Sequence, residues 1–446
     1  MKLFGTDGIR ALINEEIMSP EMGVEMGIAL VLYCQKRNAP LKIVIGRDTR
    51  ESGVMLEEAI ICGIISMGGT AVLAGIIPTP GVAYLVGEEK AGAGIVISAS
   101  HNSFEYNGLK PFNADGTKLT DEQESELQKY ISEGVEKKVG ADFILGQKII
   151  LPDAKEKYAN FLLSKVSNLE LSNLKIVLDC ANGATFEIAP KVFEKKASEV
   201  EIIFASPNGK NINNNCGSQY IEALKKKVLE KKADIGLAFD GDGDRLIVVD
   251  EKGNALNGDQ IIYIIAKMMQ EKGELKNDAV VTTVMSNIGF ISSLKKIGIE
   301  HFAVGVGDRQ VSQEMKKREA VLGGEESGHI IMSNFQPTGD GMASGLMLIS
   351  AMNYFKKNLS ELVREITLFP KILVNVPVKK KPELETIPEI VDIIKEIENI
   401  LGENGRVLVR YSGTENLCRV MIEGRDKEEI KNYADQIVGV INKNLN

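Results

Sequence analysis

Strand-like and helix-like stretches alternate along most of this chain, and the alternation begins afresh twice. In the first round, short apolar runs at 42–46, 70–75 and 94–98 read as strands. Helical patterns at 19–35 and 53–67 interleave with them, the first opened by Ser19 as a cap and Pro20 at the first helical position. A second round places strands at 174–179, 199–204 and 234–239, with helices at 186–195 and 222–231. A third starts near Asp259 with a helix, has strands at 279–284, 301–306 and 321–323 with helices between them, and closes on a long apolar helix at 341–355. Strands separated by helices cannot pair as hairpins, so they must form parallel or mixed sheets covered by helices. A charged helical stretch at 120–138 and a boundary at 139–153 end the first round. After Lys379-Lys380-Lys381-Pro382 the pattern changes to a helix at 387–399, strands at 406–410 and 418–423, and a helix at 426–441. The expectation is three similar α/β domains with mixed sheets plus a C-terminal α+β domain, divided 1–150, 151–253, 254–368 and 369–446.

The composition narrows the function. The 446 residues are 44% hydrophobic, enough for several cores, and a formal charge of −9 argues against nucleic acid as the partner. Apolar runs stay well short of a membrane span, and no signal-peptide core follows Met1. The five cysteines lack any CxxC spacing, which implies neither zinc nor a disulfide framework and fits a reducing cytoplasm. With no tryptophan, a stacking platform for bases or sugars is not expected.

Asp240-Gly241-Asp242-Gly243-Asp244 sits between two strand-like runs, 235–239 and 246–250. Three clustered carboxylates repel one another unless a cation lies among them, and an all-oxygen set suits a hard divalent ion. Asp-Gly repeats also make ordinary turns. A calcium EF-hand loop is excluded, because Arg245 stands where that loop needs glycine and a strand follows at once. The position at a strand end is where open α/β sheets place ligands. Ile97-Ser98-Ala99-Ser100-His101-Asn102 follows another strand and leads to Asn107-Gly108-Leu109-Lys110, putting hydroxyl, imidazole and ammonium groups in one short loop. Gly324-Glu325-Glu326-Ser327-Gly328-His329 carries small polar groups suited to sugar hydroxyls. Arg410-Tyr411-Ser412-Gly413-Thr414-Glu415-Asn416, with Arg419 after it, offers guanidinium, hydroxyl and backbone donors to a phosphate. Each of these could be a polar turn if it stood alone. Two of the three histidines, His101 and His329, fall within these stretches.

Together and in this order, the four loops resemble the α-D-phosphohexomutase superfamily, and the resemblance spans nearly the whole chain. Phe4-Gly5-Thr6-Asp7-Gly8-Ile9-Arg10, the 97–102 loop, Leu178-Asp179-Cys180-Ala181-Asn182-Gly183-Ala184-Thr185, Val306-Gly307-Asp308-Arg309 and Thr338-Gly339-Asp340-Gly341 resemble the branch that acts on glucosamine phosphates. Ser103, Tyr411 and Asn416 replace prolines usual in that branch, Ala11 replaces a glycine, and Glu326 replaces an amide; no group expected to do chemistry is lost. The resemblance implies a heart-shaped, four-domain enzyme with a central cleft. It implies interconversion of glucosamine 6-phosphate and glucosamine 1-phosphate through glucosamine 1,6-bisphosphate, serving as intermediate or activator. Ser100 would carry phosphate, and one Mg²⁺ would be held by Asp240, Asp242, Asp244 and the Ser100 phosphate. His101, Lys110, Arg10 and Arg245 would be catalytic; Glu325, Ser327 and His329 would grip the sugar; Arg410, Ser412, Gly413, Thr414 and Arg419 would clamp the other phosphate. The implied partner is a hexosamine phosphate, with no nucleic acid or membrane, and the protein would be a monomer or homodimer. The nearest alternative is a phosphomannomutase or phosphoglucomutase with the same machinery.

Overall fold

One strand order is built three times. The computed structural model describes residues 3–5, 7–15, 17–133, 145–167, 169, 173–195, 197–412 and 416–446. The first sheet contains β1 (Ile9–Leu12), β2 (Lys42–Arg47), β3 (Thr70–Ile76), β4 (Ala93–Ile97), β5 (Tyr106–Asn113) and β6 (Gln147–Ile150), ordered β1-β5-β4-β2-β3-β6. Its helices are α1 (Pro20–Lys36), α2 (Ser52–Ser66), α3 (Thr79–Glu88) and α4 (Asp121–Glu133), and α5 (Ala154–Lys165) follows. The second sheet contains β7 (Lys175–Asp179), β8 (Glu199–Ile203), β9 (Ile235–Phe239), β10 (Leu246–Asp250) and β11 (Ala255–Leu256), ordered β11-β10-β9-β7-β8, with α6 (Ile188–Phe193) and α7 (Glu222–Lys231). The third contains β12 (Ala279–Thr283), β13 (Glu300–Val304), β14 (Leu322–Gly324) and β15 (Ile330–Met332), ordered β13-β12-β14-β15. Its neighbours in the chain are α8 (Gly258–Glu271), α9 (Ile288–Lys296), α10 (Asp308–Arg318), α11 (Gly341–Phe355) and α12 (Leu359–Leu362).

Four strands recur in the same order: β5-β4-β2-β3, β10-β9-β7-β8 and β15-β14-β12-β13. In each set the last three are mutually parallel, and the first pairs antiparallel with its neighbour. The joint from last parallel strand to antiparallel strand carries the 98–102 stretch after β4 (the serine loop), 240–244 after β9 (called the metal loop for its expected role) and 325–329 after β14 (likewise the sugar loop).

Local sequence explains the elements. Ser19 Oγ accepts from the Met22 N–H, and Pro20 begins α1 as expected. Helices α1 and α2 cross so closely that a Cβ on Gly27 would collide with the Ile60 carbonyl, and one on Gly63 with the Val24 carbonyl. Ile43, Ile45, Ile95 and Ile97 fill the core beneath them with Leu30, Ile60 and Ile64.

Contacts divide the chain into two compact units. One comprises residues up to Met285 and Gly298–Arg364; the other comprises Ser286–Ile297 and Glu365–Asn446. The second unit holds α9 and a three-stranded antiparallel sheet ordered β16-β18-β17, made of β16 (Lys371–Pro377), β17 (Gly405–Tyr411) and β18 (Leu417–Gly424), with α13 (Pro388–Leu401) and α14 (Lys427–Leu445). Its fully buried Glu423 accepts from the Ile288 N–H at 3.0 Å and from Arg406 Nε at 2.8 Å.

The charged stretch expected at 120–138 is α4 as far as Glu133; residues 134–144, including most of that helix's expected end and the start of the boundary, lie outside the described residues. One placement is corrected. Lys110 does not share the serine loop but lies on β5, opposite Val96 of β4. Asn107-Gly108 and Pro111 disguise that strand as a turn. Gly108 is needed there, since a Cβ would come within 2.5 Å of the Ser98 carbonyl and 2.8 Å of the Ile9 carbonyl. Helices α3 and α5 and strand β16 also escaped sequence reading: α3 opens on Thr79-Pro80-Gly81, which mimics a turn.

Candidate active site

The serine loop leaves the C-terminal end of β4, and its first residues, Ser98 to Ser100, are buried. Ser100 is fully buried and left-handed, with φ 52°. Its Oγ donates to Asp240 Oδ2 at 2.6 Å and lies 3.3 Å from His101 Nδ1. Asp240, Asp242 and Asp244 are all buried, and their carboxylate oxygens come within 4.8 Å of one another. Asp242 Oδ1 and Asp244 Oδ1 are buried without a hydrogen-bond partner among the described residues. Burial first, then the Asp244 and Asp242 charges, push the Asp240 carboxyl well above the carboxylate range. Orphaned oxygens and crowded anions are both relieved by a divalent cation, so the residues fit one.

Around the triad runs a closed ring of alternating charge. Lys110 Nζ lies 2.7 Å from Asp242 Oδ2, 2.8 Å from Asp7 Oδ2 and 3.7 Å from Asp244 Oδ2. Lys118 Nζ lies 2.5 Å from Asp7 Oδ1 and also pairs with Asp308. His329 Nε2 stands 3.3 Å from Asp308, and Nδ1 stands 3.6 Å from Asp244. The circuit Asp244, Lys110, Asp7, Lys118, Asp308, His329 thus returns to its start. Burial opposes the charges on Asp244, Lys110, Asp7, Lys118 and His329, and the neighbours prevail. Lys110, Lys118, Arg10 and their like hold Asp7 well below the usual range, while the carboxylates raise Lys110, Lys118 and His329.

Arg10 pairs with Asp7, and the Arg245 N–H donates to Asp240 Oδ1 at 3.1 Å. The Nε atoms of Arg10 and Arg245 are buried without hydrogen-bond partners among the described residues, which leaves donors for an anion. Burial, then the Arg245 and Arg10 charges, lower His101 to about 4.

The sugar loop joins β14 to β15. The Glu325 N–H donates to the His329 carbonyl at 2.9 Å, and the Leu246 N–H to the Gly328 carbonyl at 3.0 Å, so the loop is stitched to β10 just beyond the metal loop. Glu325 Oε1 accepts from the Gly307 N–H at 3.1 Å, and Ser327 Oγ lies 3.5 Å from Glu325 Oε2. Both side chains are partly exposed, whereas His329 is buried against the two aspartates rather than presented beside them.

In the second unit, Arg410 and Arg419 stand directly opposite each other on β17 and β18. Like charges so placed destabilise a sheet unless an anion lies between them. Burial and then Arg419 lower the Arg410 pKa. Arg419 Nη2 reaches Ser412 Oγ at 3.5 Å, and Lys381 Nζ donates to the Ser412 carbonyl at 3.0 Å. Gly413 and Thr414 lie outside the described residues.

Sequence reasoning brought Ser100, His101, Lys110, Arg10, Arg245 and the triad to one place, but missed much of what surrounds them. Asp7 and Asp308 sat inside recognised stretches without an assigned part. Lys118, and Thr79, whose Oγ1 donates to Asp242 Oδ2 at 2.5 Å, carry no local signal at all.

A buried serine hydroxyl against an acidic triad, flanked by cations and a loop of small polar residues, is an arrangement suited to phosphoryl transfer. Four family descriptions match in series: phosphoglucomutase/phosphomannomutase alpha/beta/alpha domain I over residues 1–138, domain II over 156–253, domain III over 257–369 and the C-terminal domain over 373–440. The chain belongs to this family, the α-D-phosphohexomutases. A phosphoglucosamine mutase of Syntrophus aciditrophicus is 48% identical over 446 residues, covering 100% of this chain and 99% of that one. A phosphoglucomutase/phosphomannomutase family protein of Burkholderia thailandensis shares the fold with TM-score 0.81 at 21% identity, covering 100% and 98% of the two chains. So does the N-acetylphosphoglucosamine mutase of Aspergillus fumigatus, solved with GlcNAc-6P and magnesium, at TM-score 0.72 and 16% identity, covering 98% and 95%. Among the described residues, no helix is long and apolar enough to cross a membrane.

Proposed function

We propose that this enzyme interconverts glucosamine 6-phosphate and glucosamine 1-phosphate by way of a phosphoserine at Ser100. The observation that carries this is the Ser100 hydroxyl, held 2.6 Å from Asp240 inside the acidic triad. Asp240, Asp242 and Asp244, with the Ser100 phosphate, would hold Mg²⁺, which when bound neutralises charge on the transferring phosphoryl group. The bond from phosphorus to Ser100 Oγ breaks while one to a sugar hydroxyl oxygen forms. The hydroxyl proton leaves to a base, and Ser100 Oγ regains a proton. His101, beside Oγ, and Lys110, among the carboxylates, are the groups placed to move those protons. Arg10 and Arg245 stabilise the phosphoryl oxygens.

Glucosamine 1,6-bisphosphate then turns by roughly half a revolution, and its other phosphate returns to Ser100. Glu325 and Ser327 hold sugar hydroxyls, with His329 behind them fixing Asp244. Arg410, Ser412, Gly413, Thr414 and Arg419 hold the phosphate that is not reacting. The four domains divide as 1–150, 151–253, 254–368 and 369–446, and the enzyme works in the cytoplasm.

The choice of an amino sugar rests on the carboxylates Glu325 and Glu326 in the sugar loop and on the relative named for that reaction. A charge-assisted hydrogen bond to an ammonium is worth about 1.5–3 kcal/mol, or roughly tenfold to a hundredfold in kcat/KM. Coupled assays on glucosamine, glucose and mannose phosphates, side by side, test it. Equal or better turnover of the glucose or mannose compounds would reassign the substrate.

A further inference from the structure

Arg47-Asp48-Thr49-Arg50, a polar turn at the end of β2, takes no part in the chemistry above, yet Asp48 and Arg50 are completely buried. Arg50 Nε pairs with Asp48 Oδ2 at 2.9 Å, and the same carboxylate accepts from Ser98 Oγ at 2.5 Å. The far end of the guanidinium grips the serine loop. Nη2 donates to the Ser100 carbonyl at 3.1 Å and the Asn102 carbonyl at 2.8 Å, and Nη1 donates to the Ser103 carbonyl. A second residue binds two of the same acceptors from the loop that follows β8: Asn213 Nδ2 lies 2.9 Å from each of the Ser100 and Asn102 carbonyls.

We propose that Arg50 and Asn213 are positioning residues for Ser100, holding the serine-loop carbonyls so that the hydroxyl is aimed at Asp240. This rests on Ser100 as the phosphoryl carrier. A serine at φ 52° is unfavourable by itself, so something outside the residue must hold it there. Two donors pulling its carbonyl one way turn its Cα–Cβ bond toward the metal loop. The guanidinium supplies strong, forked hydrogen bonds, and Asp48 balances its charge so that it can stay buried. Neither Arg50 nor Asn213 hydrogen-bonds the Ser100 hydroxyl itself; their hold is on the backbone. Their loss should therefore impair the chemical step without weakening substrate binding.

The test uses full-length enzyme whose phosphoserine content is measured by intact mass. Asn213→Ala should lower kcat by about 10- to 100-fold while KM stays within about twofold, with the melting transition retained. Asn213→Asp, equal in size but without the N–H donors, should lose as much, which separates donation from shape. Arg50→Lys should follow the same pattern, and if it fails to fold the two Asn213 variants decide. Wild-type kcat in Asn213→Ala, a rise in KM with kcat unchanged, or full activity in Asn213→Asp would each overturn the proposal. A wild-type enzyme that works without phosphate on Ser100 would strike at the carrier reading instead.

Discussion

Gly241 approaches Ser100, the proposed phosphoryl carrier, from the other side, and replacing it by alanine gives a test that needs no change in any reacting group. A Cβ there would lie 2.5 Å from the Ser100 carbonyl oxygen, and 2.8 Å from both Asn213 Nδ2 and Ile212 Cδ1. Ordinary van der Waals contact begins near 3.4 Å, so the serine carbonyl must retreat by roughly 0.9 Å. That carbonyl is held by Arg50 and Asn213, and the hydroxyl of the same residue sits 2.6 Å from Asp240, so the retreat is passed to the hydroxyl. Misplacement by about 1 Å can cost on the order of 100-fold in rate, or about 2.7 kcal/mol of activation free energy. The overpacking itself should cost about 1–3 kcal/mol of stability. Gly241→Ala is therefore expected to lose kcat by roughly two orders of magnitude, with KM little changed and the protein still folded. Steady-state mutase kinetics, normalised to phosphoserine content, would measure this. Gly87→Ala is the control: it lies in α3, nothing stands within 4 Å of its added Cβ, and it should leave kcat unchanged. Gly241→Ala with kcat within about twofold of wild type would refute the claim that Ser100 is held this tightly.

Other outcomes follow from the same geometry. Chelation should abolish turnover and Mg²⁺ should restore it; Asp242→Asn should weaken metal affinity and kcat together, as titrated by calorimetry and kinetics. Arg410→Ala should raise KM by about tenfold or more with a smaller effect on kcat, because a clamp on the non-reacting phosphate acts in ground and transition states alike. Burial raises Asp179 from 3.8 to about 6, against the pull of the Ala181 and Gly217 N–H groups. The folded chain then binds a proton that the unfolded chain has released, so this carboxyl's contribution is complete below about pH 3.8 and lost as pH rises through about 6, by about 3 kcal/mol in all. Urea unfolding of wild type and Asp179→Asn across pH 4–7 should show a steeper loss of stability with rising pH in the first than in the second, and parallel profiles would refute it.

The architecture was legible because its signals are local. Ser19-Pro20 marks the start of α1, and uninterrupted apolar runs mark β2, β4 and β9. Strand β5 was not legible, since its glycine and proline answer to neighbours on β1 and β4 that the local sequence does not reveal. The site divides in the same way. Asp240 to Asp244 announce themselves by spacing, as does Ser100 by its place after a strand. Lys118 and Asp308, 190 residues apart, meet only because two sheets bring them together. In the sequence Arg50 is only a charged residue between a strand and a helix, and its burial alone shows that it faces inward.

The threefold use of one joint has a consequence for how this chain can change. Loops between strands are ordinarily where proteins accept extra residues, since nothing packed depends on their length. After β4, β9 and β14 that freedom is withdrawn. In the proposed mechanism each of these connections delivers one ingredient, the carrier hydroxyl, the ion-holding carboxylates or the sugar grip, to a place the other two must also reach. A single inserted residue in any one would displace its ingredient by up to about 3 Å, several times the tolerance of phosphoryl transfer, while leaving all three sheets intact. Length drift in this chain is thus confined to connections elsewhere, and these three joints are fixed in length by one another.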